Sequence, residues 1–264
     1  MTQKRTKDLF YNPIAIVNVL KEGENPPFSI RHRTVKAGTL LDHYDPHEGR
    51  IFKARYMDDF PIAVLLEGKR VWMSTTPFEV EGLCNAVKMS HGKVLVGGLG
   101  LGVFPWMISP KKMVKRIHIV EKEEKVIDLI YPQVRTYKST VIHDDLCHYL
   151  STTKVKYDFI YLDIWPYIIG PIQEVEKFKS LGEKCLKPHG KIMVWLQELI
   201  DRVKDKLPKV PQIGGAFELN HEPCLICSKT TRYDYSGLCM DCADLMGISD
   251  LFLGGISQPK QIST

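Results

Sequence analysis

KVLVGGLGLGVFPWMISPKKMVKRIHIVE, residues 93–121, decides the fold. A short apolar run, Val94-Leu95-Val96, passes into a turn carrying Gly97, Gly98, Gly100 and Gly102, and a second apolar run ends in the carboxylate of Glu121. That order predicts a strand, a tight turn, a short helix and a second strand. In a parallel unit of this kind the glycines let the backbone approach a ligand, and a carboxylate ending the next strand lies where ribose hydroxyls would sit. Glu121 follows Gly102 by nineteen residues, which suits that role. A dinucleotide fingerprint would place its third glycine one position later, where Val103 stands, so the stretch favours a nucleoside cofactor other than a nicotinamide dinucleotide. The plainer reading is a glycine turn that merely permits tight packing.

Upstream, residues 1–30 have weak periodicity and the Pro26-Pro27 break, and are expected to form an irregular arm. From His32 to Met73 the pattern is short and β-like, with runs at Ile51–Tyr56, Pro61–Leu66 and Val71–Met73 separated by turn residues, which predicts a small antiparallel sheet. Thr76-Pro77-Phe78-Glu79 has the spacing of a capping box with proline at the first helical position, so a helix is expected from Thr76 to about Ser90. Pro105 is tolerated in the first turn of the helix after the glycines, and Ser109-Pro110 ends that helix.

Downstream, a helix is expected over Glu123–Tyr131, a strand over Thr140–His143 leading to Asp144-Asp145, and a strand over Tyr157–Leu162 bounded by Asp163. A helix over Glu174–Leu186, a turn at Pro188-His189-Gly190, a strand over Lys191–Leu196 and a charged helix-like stretch to Leu207 complete the alternation. No strand hairpin follows Leu196. The fold class is therefore α/β: a Rossmann-like, mostly parallel sheet with helices on both faces, a small N-terminal antiparallel β-domain and a small C-terminal metal-binding unit. The implied domains are 1–75, 76–207 and 216–264, with a proline- and glycine-bearing linker over 208–215.

With 264 residues, 44% of them hydrophobic, the chain can bury one good-sized core. No apolar run approaches the ~18–20 residues that span a bilayer, and no signal-peptide pattern is present, so a cytoplasmic protein without membrane partners is expected. The net charge of +5 is uneven: residues 1–56 carry ten Lys/Arg against six Asp/Glu, a modest basic bias compatible with an anionic substrate.

Val94 to Gly102, Val120-Glu121, Ile142-His143-Asp144-Asp145 with Tyr149-Leu150 after it, and Tyr157 to Asp163 together resemble a class I S-adenosylmethionine-dependent methyltransferase, and within that superfamily the spermidine synthase-like branch. The resemblance covers roughly residues 60–196. It implies that the backbone around Gly98, Gly100 and Gly102 faces the methionyl part of the cofactor and that Glu121 accepts hydrogen bonds from the ribose. It further implies that Asp145 contacts the adenine amino group, with Asp144 in the place of a usual glycine. Asp163 would be the catalytic, substrate-facing carboxylate, and Trp165-Pro166 would wall its pocket. Without the resemblance, Asp144-Asp145 reads as a helix N-cap beside a solvated neighbour, and Asp163 as a turn aspartate. Aminopropyltransferases of that branch carry a second aspartate shortly after the one matching Asp163, and Asp163-Ile164-Trp165-Pro166 lacks it.

Two CxxC pairs, Cys224 with Cys227 and Cys239 with Cys242, lie eleven residues apart. Four thiolates so spaced close a tetrahedral structural zinc site, and seven cysteines in all argue against a disulfide framework. Residues 221–264 carry three Lys/Arg against five Asp/Glu, the wrong sign for phosphate, so this zinc ribbon is expected to stabilise the fold or dock a protein sooner than a nucleic acid. Cys84, Cys147 and Cys185 read as core cysteines. The expected function is methyl transfer from S-adenosylmethionine to an unidentified acceptor. The alternatives are aminopropyl transfer, and a non-catalytic interaction protein that retains the fold.

Overall fold

The computed structural model describes residues 13–165 and 172–203. The chain enters through helix α1 (Pro13–Val19) and strands β1 (Gly23–Asn25), β2 (Phe28–Val35), β3 (Leu40–Asp45), β4 (Arg50–Arg55), β5 (Phe60–Glu67) and β6 (Arg70–Ser74). Four of these make an antiparallel sheet in the order β1-β2-β5-β6, while β3 and β4 pair as a separate hairpin. Strand β5 shows the two-residue period directly. Phe60, Ile62 and Val64 form a small cluster, whereas Ala63 and Leu65, pointing the other way, belong to the main core.

The N-terminal arm departs from expectation. Residues 13–35 are ordered into α1 and a β1–β2 hairpin whose turn is Pro26-Pro27, so the break in the sequence pattern marks the turn of a hairpin. Helix α1 is only seven residues long, too short to display a helical period, yet it buries Ile16 and Val17 against the core and packs on β5.

The helix expected from Thr76 to Ser90 is two helices, α2 (Pro77–Glu81) and α3 (Cys84–Met89). At Gly82 a Cβ would come within 2.7 Å of the Trp195 ring, so the interruption is where a large aromatic side chain presses on the backbone. The capping box does not close either. Thr76 makes no side-chain cap, and Glu79 accepts instead from the backbone N–H and the hydroxyl of Ser74, both at 2.9 Å.

Beyond them the chain alternates as β7 (Gly92–Gly97), α4 (Val103–Ile108), β8 (Val114–Glu121), α5 (Glu124–Val134), β9 (Ser139–His143), α6 (Leu146–Thr152), β10 (Tyr157–Leu162), α7 (Ile172–Glu183), β11 (Leu186–Val194) and α8 (Gln197–Val203). The five strands are all parallel, in the order β11-β10-β7-β8-β9. Their central residues, Val94–Val96 and Phe159–Leu162, are buried on both sides, which is why these runs read as continuously apolar. Right-handed crossovers put α4 and α5 on one face and α6 and α7 on the other, in keeping with the contacts within each pair. The turn expected at Pro188-His189-Gly190 lies inside β11, where pairing jumps from Tyr157↔Leu186 to Phe159↔Lys191. Strand order reverses direction between β7 and β10, and at that switch point the carboxyl ends of an open parallel sheet form a crevice.

Trp72, Phe28 and Ile30 from the antiparallel sheet pack in the same core as Val94 and Ile160, so the two sheets share one apolar interior. Among the described residues no helix is long and apolar enough to cross a membrane. Residues 204–264, with the four cysteines of the expected zinc ribbon, lie outside the described residues, as do Pro166 and residues 1–12.

Candidate functional site

The crevice is floored by the glycine turn. Gly98 and Gly100 adopt φ values of 91° and 50°, a region costly to residues with a Cβ. A Cβ on Gly98 would run into the backbone carbonyl of Asp163, so this glycine is what lets the ends of β7 and β10 approach. The Asp163 N–H donates to the Gly97 carbonyl at 3.0 Å, and the Gly98 N–H donates to Val120 at 2.9 Å, locking the turn between its two neighbours. Gly102 takes the N-cap position of α4.

Glu121, at the end of β8, holds the turn from the side. One carboxylate oxygen accepts from the Leu99 N–H at 2.8 Å and the other from the Glu123 N–H at 2.9 Å. Each oxygen keeps a second lone pair, so the same carboxylate that shapes the turn has acceptor capacity left for two hydroxyls.

At the end of β9, Asp145 is the N-cap of α6 and accepts from the His148 N–H at 3.0 Å, the structural role anticipated for this pair. Asp144 pairs with the His148 ring at 2.8 Å, and its backbone N–H bonds the Glu121 carbonyl at 3.1 Å. The turn, Glu121, Asp144, Asp145 and Asp163 thus all stand at the carboxyl ends of adjacent strands. Trp165 donates its indole N–H to Glu174 at 3.1 Å and packs edge-on against Phe178, so its ring is held toward α7.

Asp163 is partly buried, and burial pushes its carboxyl up to about 7. Sequence reasoning missed a second acid whose ionisation Asp163 influences. Glu79, read as a cap, is pushed up to about 8 by burial, with the Asp163 charge adding to the rise against the two hydrogen bonds from Ser74. Two carboxyl groups near each other, each short of solvent, hold protons in the neutral range. Between them and the core lies Tyr161, stacked on Phe104 with centroids 4.1 Å apart. Its hydroxyl is buried with no hydrogen-bond partner among the described residues, and burial followed by the charges of Asp163 and Glu198 raises its pKa well above the ordinary value. A buried tyrosine normally satisfies its hydroxyl, and no described residue does so here.

The second missed residue is Met73, from the last turn of β6 before α2. Its sulfur accepts from the Leu101 N–H at 3.3 Å and fills the space above Gly100, where a Cβ would meet it at 2.6 Å. No local signal announces either residue, because both reach the crevice only through the packing of one sheet on the other. Among the described residues no cluster of three or more His, Cys, Asp or Glu could hold a metal ion.

No protein-family model matches the sequence, and no curated protein matches it. Solved structures similar to it include a spermidine synthase from Thermotoga maritima, at 14% identity over 59% of this chain and 62% of that one, with a TM-score of 0.39. A precorrin-8w decarboxylase from Methanobacterium thermoautotrophicum aligns at 17% identity over 46% and 66%, with a TM-score of 0.36. An S-adenosylmethionine-dependent methyltransferase from Clostridium acetobutylicum aligns at 18% identity over 44% and 48%, with a TM-score of 0.34. The chain spans less than two thirds of the length of each of these proteins. Similarity at this level names no family, and the Rossmann-like assignment rests on strand order and on the crevice at the switch point.

Proposed function

We propose that the chain is a class I methyltransferase that binds S-adenosylmethionine along the carboxyl edge of β7, β8 and β9 and methylates an acceptor held beside Asp163. The observation that supports it is the convergence at one switch point of a positive-φ glycine turn, a carboxylate with unused acceptor capacity at the end of the neighbouring strand, and a proton-holding acid at the end of the strand on the other side. The Tyr161 hydroxyl, unpartnered among the described residues, suits a ligand with a polar group.

When bound, S-adenosylmethionine supplies an electrophilic methyl group on a sulfonium. The chain's own residues do the rest. Glu121 orients the ribose through its two free lone pairs, and Asp145 meets the adenine edge from its capping position. Asp163, with an affinity for protons near neutrality, would take the proton that the acceptor's nucleophile loses on methylation, the broken carbon–sulfur bond leaving its electron pair on the sulfur of a neutral thioether product. Positioning supplies much of the rate in such transfers, so a moderate base suffices.

A second reading, aminopropyl transfer from the decarboxylated cofactor, gains support from Glu79. Glu79 is a second acid whose ionisation interacts with that of Asp163, although burial keeps it protonated up to about pH 8, so it would serve a polyamine acceptor as a carboxylate only above that pH. Titration calorimetry with S-adenosylmethionine, its decarboxylated form and NAD distinguishes these cases. Binding of S-adenosylmethionine in the micromolar range, weakened about tenfold by Glu121→Gln, is expected. Folded protein that binds neither adenosyl compound refutes both readings, and preference for the decarboxylated form selects the second.

A further inference from the structure

The turn that floors the crevice has four backbone N–H groups with identifiable acceptors. Gly98 donates to the Val120 carbonyl, Leu99 to the Glu121 carboxylate and Gly102 to the Leu99 carbonyl, all oxygen acceptors at 2.8–2.9 Å. Leu101 donates to the Met73 thioether at 3.3 Å. A thioether is a weak acceptor, so of the four this bond is the one a ligand can replace with profit. We propose that Met73 sets how the site treats the tail of its nucleoside: its sulfur stands in for a ligand carboxylate on the Leu101 N–H, and a nucleoside carrying an amino-acid tail displaces it. The proposal rests on the adenosyl reading of the site given above.

Several features point the same way. The sulfur and not the terminal methyl faces the turn: at Gly100 a Cβ would lie 2.6 Å from Sδ but 4.0 Å from Cε. Plain apolar packing would have no reason to aim the sulfur at an N–H. Gly100 is therefore needed twice, for its positive φ and for the room that the sulfur fills, and any other residue there would exclude Met73. A ligand group that reaches the Leu101 N–H requires Met73 to turn away. Methionine has three flexible side-chain torsions and little shape preference, so that rearrangement is cheap in a partly buried position. A carboxylate oxygen on the freed N–H makes a shorter, charge-assisted bond, stronger than the one it replaces.

The consequence is selectivity by tail chemistry. S-Adenosylhomocysteine carries the α-carboxylate, whereas 5′-methylthioadenosine shares the adenosine and the thioether but ends in a methyl group. For the first, Met73 is a competitor that must be displaced; the second leaves Met73 in place.

Calorimetry with both nucleosides on the full-length wild-type protein and on Met73→Ala tests this. The expected result is that Met73→Ala tightens S-adenosylhomocysteine roughly fivefold, about the worth of one hydrogen bond no longer contested, while 5′-methylthioadenosine changes less than twofold. Equal changes for the two nucleosides, or weaker binding of S-adenosylhomocysteine alone, would overturn the proposal. Should Met73→Ala fold poorly, the wild type decides by itself. With methionine methyl groups labelled with carbon-13 and the Met73 signal assigned by its loss in Met73→Leu, S-adenosylhomocysteine should shift that signal well beyond any shift from 5′-methylthioadenosine. Similar shifts from both would overturn the proposal. If neither nucleoside binds folded protein, the adenosyl reading itself fails, a result distinct from binding that ignores Met73.

Discussion

Replacing Glu79 by glutamine should make the protein less sensitive to pH. Glutamine keeps the geometry: its carbonyl oxygen accepts the Ser74 N–H, and its amide donates to the Ser74 hydroxyl, whose single proton is then free to go to the Thr76 hydroxyl. Only the ionisation is removed. In the folded chain Glu79 keeps its proton up to about pH 8, against an ordinary value of 4.5, because burial and then the Asp163 charge oppose its ionisation. The folded state therefore binds more protons than the unfolded chain between these values, and stability falls as pH rises through that window. The interval of about 3.5 pH units, at about 1.4 kcal/mol per unit, sets an upper limit of about 5 kcal/mol on the loss from this one group. Asp163, raised to about 7, adds a loss of the same sign to both proteins and largely cancels in their difference. Urea denaturation from pH 5 to pH 9 under reducing conditions measures it. The stability of wild type minus that of Glu79→Gln should decline by several kcal/mol between pH 5 and pH 8 and level off above, with m-values unchanged. A difference that is flat across this range refutes the buried proton-holding acid and, with it, the role of Glu79 in the crevice.

Gly98→Ala places a Cβ against the Asp163 carbonyl at a φ of 91°, so a stability loss of roughly 3 kcal/mol or more and loss of nucleoside binding are expected by thermal unfolding and calorimetry. Wild-type behaviour would mean that β7 and β10 do not approach as described. Tyr161→Phe removes a buried hydroxyl that has no partner among the described residues, so the variant should be as stable as wild type or up to about 1 kcal/mol more stable. A loss greater than about 1 kcal/mol would show that the hydroxyl is satisfied. Elemental analysis of protein purified without chelator should find one zinc per chain, held by Cys224, Cys227, Cys239 and Cys242 on the strength of their spacing, and zinc-free folded protein would refute that reading.

The legible parts of this fold are those whose signal is local. Buried parallel strands announce themselves as apolar runs bounded by acids, and so Tyr157–Leu162 with Asp163, and Val94–Val96 with the glycines, could be read from sequence and lie where expected. Glu121 was legible because the spacing from turn to strand end is set by one short helix and one strand. The N-terminal hairpin and α1 were not, since a seven-residue helix and a three-residue strand are too short to carry a period. Glu79 was misread for a subtler reason. The spacing of a capping box was present, but Ser74, two residues before the expected cap, bends in to take the carboxylate. Local spacing could not decide between Ser74 and Thr76; the corner from β6 to α2 did.

That corner is also what links the two sheets functionally. Residues 73–81 run from the end of the antiparallel sheet into the first helix of the parallel half, and they bring Met73 over the glycine turn and Glu79 toward Asp163. The corner is held firmly. Glu81 accepts from the Tyr44 N–H at 2.9 Å and pairs with His43 at 2.9 Å, while the Tyr44 hydroxyl donates to Glu198 at 3.2 Å and accepts from the Leu199 N–H at 3.1 Å. Asn85 closes the same network on Glu198 at 2.9 Å. Strand β3, helix α2 and helix α8 are thereby tied into one frame, and the single apolar interior shared by both sheets resists their separation. On the proposed adenosyl reading, the nucleoside end of the crevice would be built from the parallel sheet, and the tail and acceptor end would lie beneath this corner. On that reading, substitutions in residues 73–81 should change which tail and which acceptor are taken while leaving adenosine binding through Glu121 intact, and calorimetry with adenosine on such variants would refute it if adenosine binding were lost with the tail.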